Sequence, residues 1–219
     1  GNTAGSEFQI NTYTTGGQYG SSITSLSDGG FVVTWSDSDG QDGDGYGIFG
    51  QRYDSSGNTA GSEFQINTYT ISSQKYSSIT SLSDGGFVVT WTSNFQDGDG
   101  YGVFGQRYDS SGNTAGSEFQ INTYTTSSQF YPSNTSLSDG GFVVTWESVG
   151  QDDGYDSGVF GQSFDANGDM VESITESIGA IYVVNSGTSS APVMDFYLDK
   201  AKDPAGDGVT SIDVTLKFN

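Results

Sequence analysis

The stretch Leu26-Ser-Asp-Gly-Gly-Phe-Val-Val-Thr-Trp35 returns letter for letter as Leu82–Trp91 and Leu137–Trp146. The tryptophans are spaced 56 and then 55 residues apart. Self-similarity at a fixed period of this length is the mark of a repeat architecture, in which each unit buries its apolar surface on its neighbours. A second phrase, Gly1–Thr14, recurs identically as Gly57–Thr70 and Gly112–Thr125.

The local pattern inside each unit is β. Phe31, Val33 and Trp35 point one way and Val32 the other, so this strand is apolar on both faces and belongs between layers. Glu63-Phe-Gln-Ile-Asn-Thr68 alternates, which predicts an outer strand with Phe64 and Ile66 inward and Glu63, Gln65 and Asn67 outward. Ser27-Asp28-Gly29-Gly30 predicts a tight hairpin, because Asp-Gly supplies the positive φ such turns need. A Ser/Thr/Gly/Gln linker over 15–22, 71–78 and 126–133 precedes a short strand, Ile23–Leu26 in the first unit. Gly47–Tyr53 predicts a further strand.

Four short antiparallel strands per unit are the cue for a propeller blade. The expected fold is all-β, with propeller-blade-like repeats over 1–56, 57–111 and 112–175. Three blades do not close a ring alone, so further blades, several chains or an open solenoid-like stack complete the picture. Beyond Asp165 the repeat decays. Strand runs at Ala180–Val184, Val193–Leu198 and Ile212–Phe218 predict the start of a β-sandwich over 176–219. The chain does not begin with Met and starts in phase with a repeat, as a piece of a longer protein would.

Charge and composition narrow the function. The 27 acids against 6 bases give a net charge of −21. With no basic patch to neutralise phosphates, nucleic-acid binding is not expected, nor is attraction to an anionic membrane. There is no cysteine and no histidine. Disulfides, thiolate nucleophiles, a Ser-His-Asp triad and Cys/His zinc sites are therefore excluded. No transmembrane run or signal peptide is present, and no membrane insertion is expected.

The acidic loops carry the candidate metal ligands: Asp37, Asp39, Asp42 and Asp44 in the first, Asp97 and Asp99 in the second, Asp152, Asp153 and Asp156 in the third. Alternating aspartates with glycine turns can wrap a calcium ion. None of the loops has the glutamate that completes an EF-hand, and solvated turns explain the same residues. Asp28, Asp84 and Asp139, with Asp54, Asp109 and Asp165, loosely resemble the turn-capping aspartates of sialidase-type propellers. Trp35, Trp91 and Trp146 read as core rather than sugar platforms, and Arg52 and Arg107 as partners of nearby carboxylates. Departures from the repeat gather in the third unit, at Pro132, Asn134, Glu147, Asp156 and Ser163. Glu147 with Asp156 is the one pair to suggest for a glycosidase, and drift in a terminal repeat explains it equally.

The phrases S-x-x-x-L-x-D-G-G-F-V-V-T-W, Q-D-G-x-G-x-G-V-F-G-Q-R-Y-D and G-x-E-F-x-x-N-T resemble repeats of very large secreted bacterial proteins. These are often type I-exported, adhesin-like and associated with RTX and cadherin-like modules. The tail is similar, more loosely, to cohesin-like sandwich starts. The resemblance covers roughly Gly1–Asp165. It implies a non-enzymatic setting, extracellular or on the bacterial surface, and names no ligand. The expected function is a structural or adhesive module, calcium-stabilised through its acidic loops and self-associating through its near-identical repeats or bound to matrix proteins. The alternative is a carbohydrate-binding, lectin-like propeller, and after that a glycoside hydrolase.

Overall fold

The computed structural model describes residues 5–171, together with the backbone of 181–185 and 194–198. The strands are β1 (Gln18–Ser25), β2 (Phe31–Asp37), β3 (Gly47–Tyr53) and β4 (Phe64–Gln65), then β5 (Gln74–Ser81), β6 (Phe87–Asn94), β7 (Tyr101–Tyr108) and β8 (Phe119–Gln120). They continue with β9 (Gln129–Ser136), β10 (Phe142–Val149), β11 (Ser157–Phe164) and β12 (Met170–Val171), followed by β13 (Ile181–Asn185) and β14 (Met194–Leu198). The first twelve form three four-stranded antiparallel sheets in the orders β1-β2-β3-β4, β5-β6-β7-β8 and β9-β10-β11-β12. They are propeller-blade-like repeats of an all-β chain. They belong to a unit spanning Gly1–Glu172, and a second unit spans Ser173–Asn219. In the latter β13 and β14 pair antiparallel. The remainder of the expected sandwich, Ile212–Phe218 included, lies outside the described residues.

The repeated hairpin folds as its glycines demand. Gly29 takes φ 85° and Asp28 Oδ1 accepts the Gly30 N–H at 2.8 Å. A Cβ on Gly30 would stand 2.2 Å from the Tyr53 carbonyl oxygen, so the second glycine is required by close approach rather than by φ.

Sheets and sequence units are out of phase by one strand. The phrase Gly57–Thr70 supplies β4, the last strand of the first sheet, through Phe49↔Gln65 and Gly50↔Phe64. Ile66 is buried as expected, but so is Asn67, which alternation places outside. Asn67 Oδ1 accepts the Ile48 N–H at 2.7 Å, and its Nδ2 donates to Asp42 Oδ2, the Tyr69 carbonyl and Gln74 Oε1 at 2.8, 2.9 and 3.2 Å. The strand ends after two residues and an amide hub continues the pairing. Asn122 repeats the arrangement, with the Val103 N–H at 2.7 Å.

The doubly apolar β6 is stacked between two sheets, and β2 and β10 each pack one face on the second sheet. Leu26, Val32, Ile48 and Ile66 of one sheet pack on Ile79, Phe87, Val89, Trp91 and Phe104 of the next. Leu82, Val88, Val103 and Ile121 pack likewise on Phe142, Val144, Trp146 and Phe164. One sheet's valine face thus meets the tryptophan face of its successor. Polar clamps close each junction. Arg52 sits 3.9 Å from Asp28 and donates to the carbonyls of Ser110 and Ser111 in the next repeat's turn. Arg107 does the same with Asp84, Ala166 and Asn167. Glu118 Oε2 accepts from the Thr68 N–H and hydroxyl at 2.6 and 2.9 Å, tying successive fourth strands together.

Candidate functional site

The first strands of neighbouring sheets touch. The Ile79 N–H donates to Ser22 Oγ at 3.3 Å, the Ser81 N–H to Thr24 Oγ1 at 3.1 Å, and Ser78 Oγ to Asn134 Oδ1 at 2.7 Å. Each first strand is longer than the sequence predicts, beginning at Gln18, Gln74 and Gln129 inside the expected linkers. Each also carries a bulge early on. The register shifts between Tyr19 and Ser22 against β2, between Lys75 and Ser78 against β6, and across the equivalent stretch of β9 against β10.

In the second and third sheets the bulge holds a tyrosine in left-handed backbone, Tyr76 at φ 59° and Tyr131 at φ 57°. A bulky side chain at positive φ is strained, and such strain persists only where the surroundings enforce it. Here the preceding sheet does so: the Tyr76 N–H donates to Ser36 Oγ and the Tyr131 N–H to Thr92 Oγ1, both at 3.2 Å. The first sheet has Gly20 at this place, at φ 62° with nothing within 4 Å of an added Cβ.

The bulges set a strip of rings along the seam. Tyr19 is 58% exposed, Tyr76 46% and Tyr131 51%. The rings of Tyr76 and Tyr131 are 4.7 Å apart, Phe130 and Tyr131 5.0 Å, and Tyr19 and Tyr46 6.4 Å. Lys75 Nζ lies 4.0 Å above Tyr46. Tyr19, Ser36, Tyr46, Lys75 and Tyr76 line a cavity of about 190 Å³. The Tyr131 phenol, and then partial burial, push the Tyr76 phenol up from its ordinary value. Chemically, the strip offers flat apolar faces edged by hydroxyls and one ammonium. Phe95, 59% exposed at φ 59°, and Tyr155, 88% exposed, are further rings on the acidic loops.

Trp35, Trp91 and Trp146 are at most 6% exposed and are core, as the strand pattern requires. Arg52 and Arg107 pair with carboxylates as expected, and serve mainly as clamps between repeats. The loop aspartates of the first two repeats tie their loops to segments 19–28 residues away, and those of the third cap their own turn. Asp37 accepts from Gln18 Nε2 at 2.7 Å and the Asp39 N–H at 3.0 Å. Asp44 and Asp99 accept the N–H of Ser72 and Ser127, at 3.0 and 2.9 Å. Asp42 and Asp97 hold Asn67 and Asn122, at 2.8 and 3.3 Å. Asp152 caps the Asp153 N–H, and Asp153 caps Tyr155 and Asp156. Among the described residues no three acidic side chains are gathered as a metal site.

Burial raises Asp42 and Asp97 above the ordinary carboxylate range, against hydrogen bonds from the two asparagines. Hydrogen bonds from Asn58 and Asn113 hold Asp54 and Asp109 below it. Glu147 lies exposed on β10 opposite Phe130. The strip was missed because its window reads as polar linker. The available signal was that Tyr19-Gly20, Lys75-Tyr76 and Phe130-Tyr131 differ among repeats otherwise nearly identical.

No protein-family model and no curated protein matches the chain. Solved structures do. A protein of unknown function from Dyadobacter fermentans aligns at TM-score 0.52 and 9% identity, over 85% of this chain and 63% of that one. An α-L-arabinofuranosidase from Lactobacillus brevis aligns at TM-score 0.47 and 11% identity, over 74% of this chain and 57% of that one. A GH43 endo-arabinanase from Bacillus licheniformis aligns at 0.43 and 16%, over 76% and 59%. The chain thus spans less than two thirds of the length of these structures. Glycoside hydrolases stand among the matched structures. The expectation of a non-enzymatic chain is corrected accordingly.

Proposed function

We propose that the seam of tyrosines binds an uncharged polysaccharide chain. The observation that carries the reading is the pair Tyr76 and Tyr131, half-exposed rings held side by side on strained backbone by the preceding sheet. Sugar rings present apolar faces and outward hydroxyls, and tyrosine offers the matching flat surface and a polar tip. Repetition of the bulge along the array suits a ligand that itself repeats. The net charge of −21 opposes acidic glycans. An extracellular or bacterial-surface setting accompanies the proposal, supported by the resemblance of the repeats.

Affinity electrophoresis in gels containing neutral polysaccharides tests it, with arabinan first because an endo-arabinanase stands among the matched structures. We expect retardation, reduced about 10-fold or more in apparent affinity by Tyr76→Ala with Tyr131→Ala, at about 1 kcal/mol per ring. Equal retardation of variant and parent, or none on any neutral polysaccharide, overturns the reading. Reducing-end release in the same samples reads whether binding leads to cleavage.

A further inference from the structure

The two junctions between neighbouring sheets differ along the seam. At the second junction the bulge ring of the earlier sheet, Tyr76, lies against that of the later sheet, Tyr131, with centroids 4.7 Å apart. At the first junction the earlier sheet has Gly20 at the bulge, so Tyr76 meets no ring from that position. The space left there is the cavity of about 190 Å³ lined by Tyr19, Gly20, Ser36, Tyr46, Lys75 and Tyr76. All six residues belong to the first two sheets or to the loop between β2 and β3, so one internal junction builds the whole cavity.

Further departures from the repeat shape this slot. Gly17 stands where the later repeats have Ser73 and Ser128, and the Tyr19 ring lies over it: a Cβ on Gly17 would be 2.2 Å from the Tyr19 hydroxyl oxygen. Lys75 stands where the third sheet has Phe130. Its Nζ lies 4.0 Å above the Tyr46 ring, and among the described residues no carboxylate pairs with it, whereas Arg52 and Arg107 each have one. Ser36 Oγ accepts the Tyr76 N–H, which leaves the hydroxyl proton to donate. The first junction is therefore open and edged by two donors, and the second is occupied by Tyr76, Phe130 and Tyr131 in mutual contact.

We propose that one neutral sugar ring of the bound polysaccharide sits in this slot, at the place of the absent tyrosine ring, and anchors the chain at the head of the Tyr76–Tyr131 strip. The subsite rests on the polysaccharide reading and adds to it the position from which the chain is held. A volume of about 190 Å³ falls below the roughly 300 Å³ at which pockets for drug-sized ligands begin, so the slot takes one ring and not an oligosaccharide. The sugar's apolar face packs on the tyrosines, and Lys75 Nζ and the Ser36 hydroxyl donate to its hydroxyl oxygens. An aromatic side chain in the same slot would strip water from both donors and return no acceptor, a penalty that favours the sugar.

Gly20→Tyr tests the slot. Tyr76 and Tyr131 set the precedent for tyrosine at this bulge, at φ 59° and 57°, and Gly20 at φ 62° has nothing within 4 Å of an added Cβ. The new ring lengthens the strip but fills the slot, so a plain strip and an anchored one give opposite signs. In affinity gels of arabinan, dextran and galactomannan, the expected result is an apparent affinity about 5-fold or more below the parent's. Lys75→Met keeps the stem, loses the ammonium and lowers affinity about 3-fold. The circular dichroism of both variants matches the parent. Affinity unchanged or raised in either variant, while Tyr76→Ala with Tyr131→Ala still weakens binding, overturns the slot and leaves the strip standing. A parent that none of these gels retards overturns the slot together with the strip.

Discussion

Trp91 and Tyr76 belong to neighbouring strands of the same sheet and meet opposite fates. Trp91 lies on β6 with regular alternation and is fully buried against the previous repeat. Tyr76 lies on β5 within a bulge, one residue out of alternation, and is 46% exposed on left-handed backbone. Both are large aromatics in a stack of sheets. What separates them is register: the regular ladder aims side chains at a neighbouring sheet, and the bulge re-aims one at solvent. Faces of the sheets therefore hold the repeats together, while the seam tyrosines face solvent.

The comparison breaks first at the face. Trp91→Ala should cost about 3–5 kcal/mol in a urea unfolding titration, because sheets on both sides limit collapse into the cavity. A loss under 1 kcal/mol would mean the faces do not carry the stack. Asn67→Ala tests the amide hub that extends the face past the end of β4. It leaves the buried Ile48 N–H without its 2.7 Å acceptor, and about 1–3 kcal/mol should be lost. Asn67→Asp, which keeps the acceptor but faces Asp42, separates the lost bond from lost packing.

The faces were legible in the sequence and the seam was not. Val32 beside Phe31, Val33 and Trp35 is an apolar run with no wet side, and burial on both sides is its one good solution. The Asp-Gly-Gly turn is equally local. Asn67 was misplaced because alternation assumes that the strand goes on, whereas β4 stops at Gln65 and the asparagine takes over the backbone's bonding. The bulge depends on Ser36 and Thr92 reaching over from the preceding repeat, a contact about 40 residues away that no window of sequence contains. The acidic loops were legible as aspartate- and glycine-rich connections, and their wiring to Gln18, Ser72 and Asn67 was not, for the same reason.

Tyr76→Gly sharpens the contrast at the seam. Relief of left-handed backbone is worth about 1–2 kcal/mol, offset by the larger unfolded-state entropy of glycine and the loss of the Tyr131 contact. Net stability should stay within about 1 kcal/mol of the parent, as the natural Gly20 at the same place suggests, while polysaccharide retardation falls. A Tyr76→Gly protein as crippled in stability as Trp91→Ala would place the bulge tyrosine in the core of the design rather than on its working surface.

The smallest effect distinguishes two kinds of aspartate along the loops and turns. Asp54 and Asp109, held below the ordinary range by Asn58 and Asn113, add stability that is present at neutral pH and lost as pH falls through their lowered values. Asp42 and Asp97, raised above the ordinary 3.8 by burial, work in the opposite sense. The folded state holds their protons more tightly than the unfolded chain, so the charged forms cost stability at neutral pH and the cost is removed as pH falls through the raised values. Asp42→Asn with Asp97→Asn should therefore stabilise the chain at pH 7 by a few tenths of a kcal/mol, kept small by solvent screening of half-buried groups. Urea midpoints at pH 7 and pH 4 should show that advantage shrinking in acid. An advantage that grows in acid would mean that these two carboxylates are stabilised by their asparagines as Asp54 is, and that the loop edge is wired like the turn.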